Sequence, residues 1–343
     1  MSATPFADAL QRWMQTELGI AGAQLGARLS GGNANVTQLV ESDAGRFVIR
    51  RPPDAAISAS AAQGVRREFR MLSALAGRAR LPRALGFCED TTVIGQPFAV
   101  VEFVPGASLT TQLPAAYDGS AATIASLGHE LVDAIATVHA LDWRALPLDA
   151  PRDADGYLQR QIERWLKARA AENVRELPLL DRIGRWLLAE RPTPAPARVV
   201  HGDYHLDNTL FRTDRPELAA IIDWELGTIG DPLTDLGLLL MFWGPRPIDP
   251  SAFPAIQQVT RVPGAPSRVE LAARWSRATG IGIERLDYYL CFAFWRLAAI
   301  VEGAYVLYRK GLVHDDYSRD LEHNVPRLLH EAALVAGLDP AGP

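Results

Sequence analysis

Apolar positions change their period several times along the chain. Over residues 5–18, PFADALQRWMQTEL, Phe6, Leu10, Trp13 and Leu18 recur at helical spacing and predict an amphipathic opening helix. From 24 to 51, QLGARLSGGNANVTQLVESDAGRFVIRR alternates short apolar runs with Gly/Asn turns, which predicts three strands in an antiparallel meander. Helical period returns over 61–77, with Val65, Phe69, Leu72 and Leu75 on one face and Gly77 as the stop. After Pro82, ALGFCED and PFAVVEFV predict two more strands. The N-terminal part thus reads as five strands with one helix inserted after the third.

PGASL at 105–109 carries Pro and Gly and predicts a hinge rather than another strand. Beyond it the pattern is mostly helical, most clearly over 123–141, 233–243 and 288–310. The last run is apolar enough to suggest a membrane span, but Arg296 and Glu302 interrupt it, so a core helix is expected. The Pro-rich stretches 190–199 and 244–254 are expected as loops within this helical part. A chain of 343 residues fits one large domain or two intimate lobes.

Hydrophobic residues make up 48% and charged residues 22%, which predicts a folded chain. A formal net charge of -5 supplies no basic surplus for a phosphate backbone, and a nucleic-acid partner is not expected. Cys88 and Cys291 lie far apart without CxxC spacing and are expected as buried thiols. The first residues lack a basic segment followed by an apolar run, and a cytoplasmic location is expected. Lys167 and Lys310 are the chain's two lysines.

The densest polar chemistry lies in VVHGDYHLDNTLF, 199–211, and LAAIIDWELGTIGDPLTDLG, 218–237. Short apolar strands bracket Asp203, Asn208 and Asp223. Phosphoryl transfer needs a carboxylate to orient the attacking hydroxyl and hard oxygen ligands for magnesium. Asp203 suits the first task, and Asn208 with Asp223 suits the second.

HGDYHLDN, followed by IDWE and then GDPLTDLG, resembles the aminoglycoside phosphotransferase and choline kinase family. The resemblance is greatest to the subgroup fused to acyl-CoA dehydrogenases in animals and free-standing in bacteria. It implies an α+β, bilobal, protein-kinase-like fold: an N-lobe, 1–103, with a small antiparallel sheet and one inserted helix, and a larger, mainly helical C-lobe, 104–343. It also implies ATP as co-substrate and Mg2+. Carried over, Asp203 is the catalytic-loop aspartate, and Asn208 and Asp223 are the magnesium ligands. His201 braces the loop, and Asp235 holds its backbone. Ser30, Gly31, Gly32 and Asn33 take the place of the phosphate-covering loop. Phe47-Val48-Ile49-Arg50 aligns with the strand that carries the family's lysine, and Glu68 with its helix partner. Arginine can bridge phosphates through its fork, and strand alternation favours Arg50 over Arg51. Glu102, Phe103 and Val104 are expected to offer backbone groups to an adenine edge.

For the acceptor, two readings of Arg296 stand: pairing with a carboxylate such as Glu302, or anchoring a carboxylate, phosphate or CoA group of the substrate. His205 has two as well, a packing histidine or a proton carrier near the acceptor. The resemblance implies transfer of the γ-phosphoryl group to a hydroxyl, with a hydroxyacyl compound as acceptor class. The alternatives are a non-catalytic nucleotide-binding module, which the missing lysine favours, and an antibiotic kinase.

Overall fold

The computed structural model describes residues 5–29, 35–53, 59–149, 153–172, 174–244 and 258–342. Helix α1 (Pro5–Leu18) leads into strands β1 (Gln24–Arg28), β2 (Val36–Ser42) and β3 (Gly45–Arg51). Helix α2 (Ala59–Ala74) follows, then β4 (Ala84–Cys88), the single turn α3 (Thr91–Ile94) and β5 (Phe98–Glu102). The five strands form one antiparallel sheet in the order β1-β2-β3-β5-β4. Alternation then sorts the two faces. Ile49 and Val100 pack with Leu10 and Met14 of α1, whereas Val48 and Val101 belong to the core that includes Met71, Leu72 and Leu75. Arg50 shares the second face, and there it is buried.

Helix α2 ends three residues before the expected stop, and a turn leads to Gly77 at φ 70°. Phe69 lies on its flank against Phe87, ring centroids 5.5 Å apart, while the charged Glu68 occupies the buried stripe. A carboxylate at a core position needs a partner, and this one faces Arg50.

The C-terminal part holds α4 (Ala121–His139), α5 (Tyr157–Ala171), α6 (Pro178–Ala189), β6 (Arg198–Val200), β7 (Thr209–Phe211), β8 (Leu218–Ile221) and β9 (Thr228–Gly230). It continues through α7 (Leu233–Phe242), α8 (Arg268–Thr279), α9 (Leu286–Arg309) and α10 (Asp316–Val335). α9 packs against α5, α6, α7 and α10, so its apolar residues meet neighbours on several sides. Among the described residues it is the helix long and apolar enough to cross a membrane, and most of it is buried inside the protein. Residues 105–109, expected as a plain hinge, also make a β-bridge: Ala107 exchanges hydrogen bonds of 2.8 and 2.9 Å with Phe211. Gly106 permits this approach, because a Cβ there would lie 2.8 Å from the Phe211 carbonyl oxygen.

At the turn between β9 and α7, the buried Asp231 accepts hydrogen bonds from the Leu233 N–H at 3.0 Å and the Tyr289 hydroxyl at 2.7 Å. Burial pushes its carboxyl up to about 6 despite these bonds. A raised pKa in the folded state means stability present in full below the unfolded value, near 3.8, and lost as pH rises through about 6. Asp231→Asn removes this titration, while the Tyr289 hydroxyl can turn to accept from the new amide. Relative to wild type, the variant is expected to gain up to about 3 kcal/mol between pH 4 and 7. Chemical denaturation across that range measures the difference, and a difference flat with pH would remove the argument.

Candidate active site

Strand β6 ends at Val200 and β7 begins at Thr209, so residues 201–208 form a loop between them. β7 and β8 pair Thr209 with Ile221. This register sets Asn208 against Ile222 just beyond the hairpin, where the Ile222 N–H donates to the Asn208 carbonyl at 2.9 Å. Asp223 therefore emerges beside Asn208. It is the one non-glycine among the described residues at positive φ, with φ 65° and ψ 56°. Such a conformation costs about 1–3 kcal/mol unless surrounding contacts require it. Here it accompanies a contact between Asp223 Oδ1 and the N-terminal sheet, through Arg50 Nη2 at 2.9 Å.

The loop is held from behind. Asp235, in the first turn of α7, accepts from the His201 N–H at 2.6 Å and the Gly202 N–H at 2.8 Å. His139 Nε2 lies 3.2 Å from the same carboxylate, and Trp275 Nε1 donates to His139 Nδ1 at 3.0 Å. Since Nδ1 accepts, the ring proton of neutral His139 sits on Nε2 and points at Asp235. His201 is fixed by the same logic: its Nδ1 accepts from the Asp203 N–H at 3.2 Å, and its Nε2 donates to the Ile222 carbonyl at 2.8 Å. Asp235 and His201 act through the backbone they hold and His139 through Asp235, so all three are positioning residues.

At the mouth of the loop, Asn208 Nδ2 donates to the Asp203 carbonyl at 2.8 Å and to its Oδ2 at 2.9 Å. With the amide nitrogen committed, Asn208 Oδ1 is the atom left to ligate. His205 Nε2 stands 3.6 Å from Asp203 Oδ2, its Nδ1 stands 3.8 Å from Asp207, and its ring packs on Phe242 at 4.9 Å. Burial opposes ionisation of Asp203, but His205, Arg296 and His201 outweigh it and hold the carboxyl below the usual range. Burial likewise works against a charged His205, and Asp203, Asp207 and Asp223 prevail in raising its pKa. Asp203 is thus kept as an anion whose side chain is 44% exposed, suited to orient a hydroxyl.

Across the cleft, Arg50 donates from Nε to Glu68 at 2.9 Å, from Nη1 to Thr37 at 2.6 Å and from Nη2 to Asp223 at 2.9 Å. Burial works against its charge, but Glu68 and Asp223 together hold the guanidinium above its ordinary range. Arg51 turns away and bonds to the Pro52 carbonyl at 3.3 Å. Ser30, Gly31, Gly32 and Asn33 lie outside the described residues. Glu102 closes β5, and its carboxylate faces Arg83 at 3.3 Å; Phe103 follows, with Arg46 over its ring at 4.2 Å, and then Val104.

Sequence reasoning missed Glu225 and Asn35. The Asn35 amide donates to the Glu225 carboxylate, tying the segment before β2 to the turn after Asp223. Burial, Asp223 and the other nearby carboxylates push Glu225 up to about 7 against the pull of Arg50. A signal was present, since Glu225 stands two residues after Asp223 in IDWE and Asn35 closes GGNAN.

Arg296 does not pair with Glu302. Arg175 takes Glu302 with contacts of 3.0 and 2.5 Å, while Arg296 Nη2 donates to the Gly202 carbonyl at 2.8 Å. The two residues are six apart on α9, on different faces, which separates their partners.

The oxygen donors fit magnesium. Among the described residues no three His, Cys, Asp or Glu close around one point, and Asn208 with Asp223 offers a hard amide oxygen and a carboxylate. That is the small protein set typical of magnesium held together with substrate phosphates.

An antiparallel sheet with an inserted helix, joined to a helical lobe whose loops bring Asp203, Asn208 and Asp223 together, defines a kinase-like phosphotransferase. Residues 26–272 match the phosphotransferase enzyme family, and the chain belongs to it. Acyl-CoA dehydrogenase family member 10 of Mus musculus is 30% identical over 308 residues, covering 87% of this chain and 28% of that protein. Acyl-CoA dehydrogenase family member 11 of Homo sapiens is 30% identical over 318 residues, covering 88% of this chain and 39% of that protein. The chain therefore spans well under half the length of these curated relatives. Among solved structures, a Ralstonia eutropha protein classed with the aminoglycoside phosphotransferases superposes with a TM-score of 0.78 at 28% identity, covering 97% of this chain and 98% of that one. APH(2")-IIia, solved as its GDP and kanamycin complex, shares the fold with a TM-score of 0.62 at 17% identity, covering 95% and 98%. The family and these neighbours support a small-molecule kinase.

Proposed function

We propose that the chain transfers the γ-phosphoryl group of ATP to the hydroxyl of a small molecule, and that the acceptor is a hydroxyacyl compound. The observation that carries the transfer is the convergence of Asp203, Asn208 and Asp223 on one cleft, with the Arg50–Glu68 pair opposite. In this reading Asp203 accepts a hydrogen bond from the acceptor hydroxyl and aims its oxygen at the γ-phosphorus. Arg50 turns part of its fork from Asp223 to the nucleotide phosphates. Magnesium, bound through Asn208 and Asp223, would neutralise charge on the phosphate oxygens. The acyl part of the acceptor is supported by the names of the two relatives, which concern much longer proteins. Buried, free Cys88 and Cys291 fit a cytoplasmic setting.

A second reading, a nucleotide-binding module without turnover, is favoured by one contact: Arg50 occupies Oδ1 of the proposed metal ligand Asp223. ADP release from magnesium ATP, measured over hydroxy acids, hydroxyacyl-CoAs, amino alcohols and aminoglycosides, separates the two. Acceptor-dependent release with the hydroxyacyl compounds is expected, at kcat of the order of 1–100 s⁻¹. Measurable nucleotide binding with no release from any acceptor would favour the module. Release with aminoglycosides alone would replace the acceptor class.

A further inference from the structure

Arg296 lies in the middle of α9 with 9% of its surface exposed, beside apolar neighbours such as Trp295 and Ala299. A buried guanidinium normally meets a carboxylate, because its five donors are costly to strip of water. This one meets none: among the described residues no Asp or Glu lies within 4 Å of it. Its Nη2 is used on the Gly202 carbonyl, and its Nε is buried without a hydrogen-bond partner among the described residues. Gly202 immediately precedes Asp203, so this contact sets Arg296 at the base of the loop that carries that carboxylate. A buried guanidinium with one open donor, Nε, therefore stands at the foot of the loop that presents the acceptor's partner. In native structures a buried donor left open calls for an explanation, and a missing ligand is one of the few on offer.

We infer that Arg296 is the anion-binding residue of the acceptor site, and that the acceptor carries a negatively charged group that reaches the foot of the Asp203 loop. The inference rests on the kinase reading for the position of the acceptor beside Asp203, and it narrows the substrate class. A polycationic acceptor would bring its amines against the guanidinium, whereas a carboxylate or the phosphate of a thioester carrier would accept a charge-assisted hydrogen bond from its open donor. The Gly202 contact alone does not account for the residue. One carbonyl needs one donor, and an amide or hydroxyl could supply it without a buried charge.

The test uses three forms of each acyl group in the presence of magnesium and a non-hydrolysable ATP analogue: a 3- or 4-hydroxy acid, its CoA thioester and its neutral methyl ester. Binding to wild type is expected to favour the acid or the thioester over the ester by at least about tenfold, the scale of one charge-assisted contact. Which of the two is favoured identifies the source of the charge. Arg296→Gln is expected to bring that ratio to about one, and Arg296→Lys to an intermediate value. Misplacement of the Asp203 loop would weaken all three ligands together and leave the ratio unchanged. If Arg296→Gln fails to fold, the lysine variant carries the comparison. A wild-type ratio near one, or one that survives removal of the guanidinium, overturns the inference. ADP release in parallel separates the two readings. Charge discrimination without release retains the anion site and removes the kinase, while release without discrimination does the reverse.

Discussion

Asp203→Asn is expected to lower acceptor-dependent ADP release by about 10²–10⁴-fold while nucleotide affinity changes little. Its carboxylate is a half-exposed anion at the mouth of the loop, held ionised by His205 and Arg296, and its Oδ2 is already fixed by the Asn208 amide at 2.9 Å. An amide at this position keeps one acceptor oxygen for Asn208 but then has only an N–H to show the hydroxyl, which reverses the hydrogen bond that orients it. The low pKa also makes Asp203 a weak base. In the proposed reaction its contribution is therefore one of aim rather than early proton removal, as a loose phosphoryl-transfer transition state requires. Single-turnover kinetics with saturating magnesium ATP, alongside calorimetric nucleotide binding, measures both halves. Full turnover in the variant would remove Asp203 from the reaction, and equal losses in turnover and nucleotide binding would mean the loop itself had collapsed.

Much of this cleft was legible because its residues are local in sequence. HGDYHLDN and IDWE each form one turn flanked by short strands, so spacing alone places Asp203, Asn208 and Asp223 near strand ends. The N-terminal sheet was legible for a similar reason, since its strands alternate and its turns carry Gly and Asn. Partners between distant elements were not. Arg296 lies 94 residues from Gly202 and Trp275 lies 136 from His139, and only tertiary packing sets such pairs. The strand β9 was not legible, because three residues, Thr228–Gly230, carry too little period. A buried charge needs a partner and Glu302 is one carboxylate that α9 offers Arg296, but the helix turns the two to different faces and the distant Arg175 takes the carboxylate.

Arg50, on β3, governs the second large effect. Arg50→Met is expected to destabilise the protein by roughly 3–5 kcal/mol, the usual consequence of removing one partner from a buried ionic group. Arg50 is the common partner of Glu68 and Asp223, both at 2.9 Å, and without it two carboxylates face one another across a desolvated space. The sign of the pH dependence follows. Unpaired, the glutamate's folded-state pKa rises further above its unfolded value, so the variant is most stable in acid and loses stability as pH rises towards neutrality. Arg50→Met/Glu68→Gln is expected to recover part of the loss at pH 7, a coupling that a double-mutant cycle reads directly. Magnesium supplies a second axis, because Arg50 holds Oδ1 of Asp223 in this structure. A cation that binds only the folded state stabilises it by mass action. Millimolar magnesium without nucleotide is therefore expected to raise the Tm of Arg50→Met more than that of wild type, where the guanidinium competes for the same oxygen. Equal shifts would mean that arginine and cation do not share Asp223. In that case Arg50 would be a structural brace, and the nucleotide phosphates would have to be held by other residues.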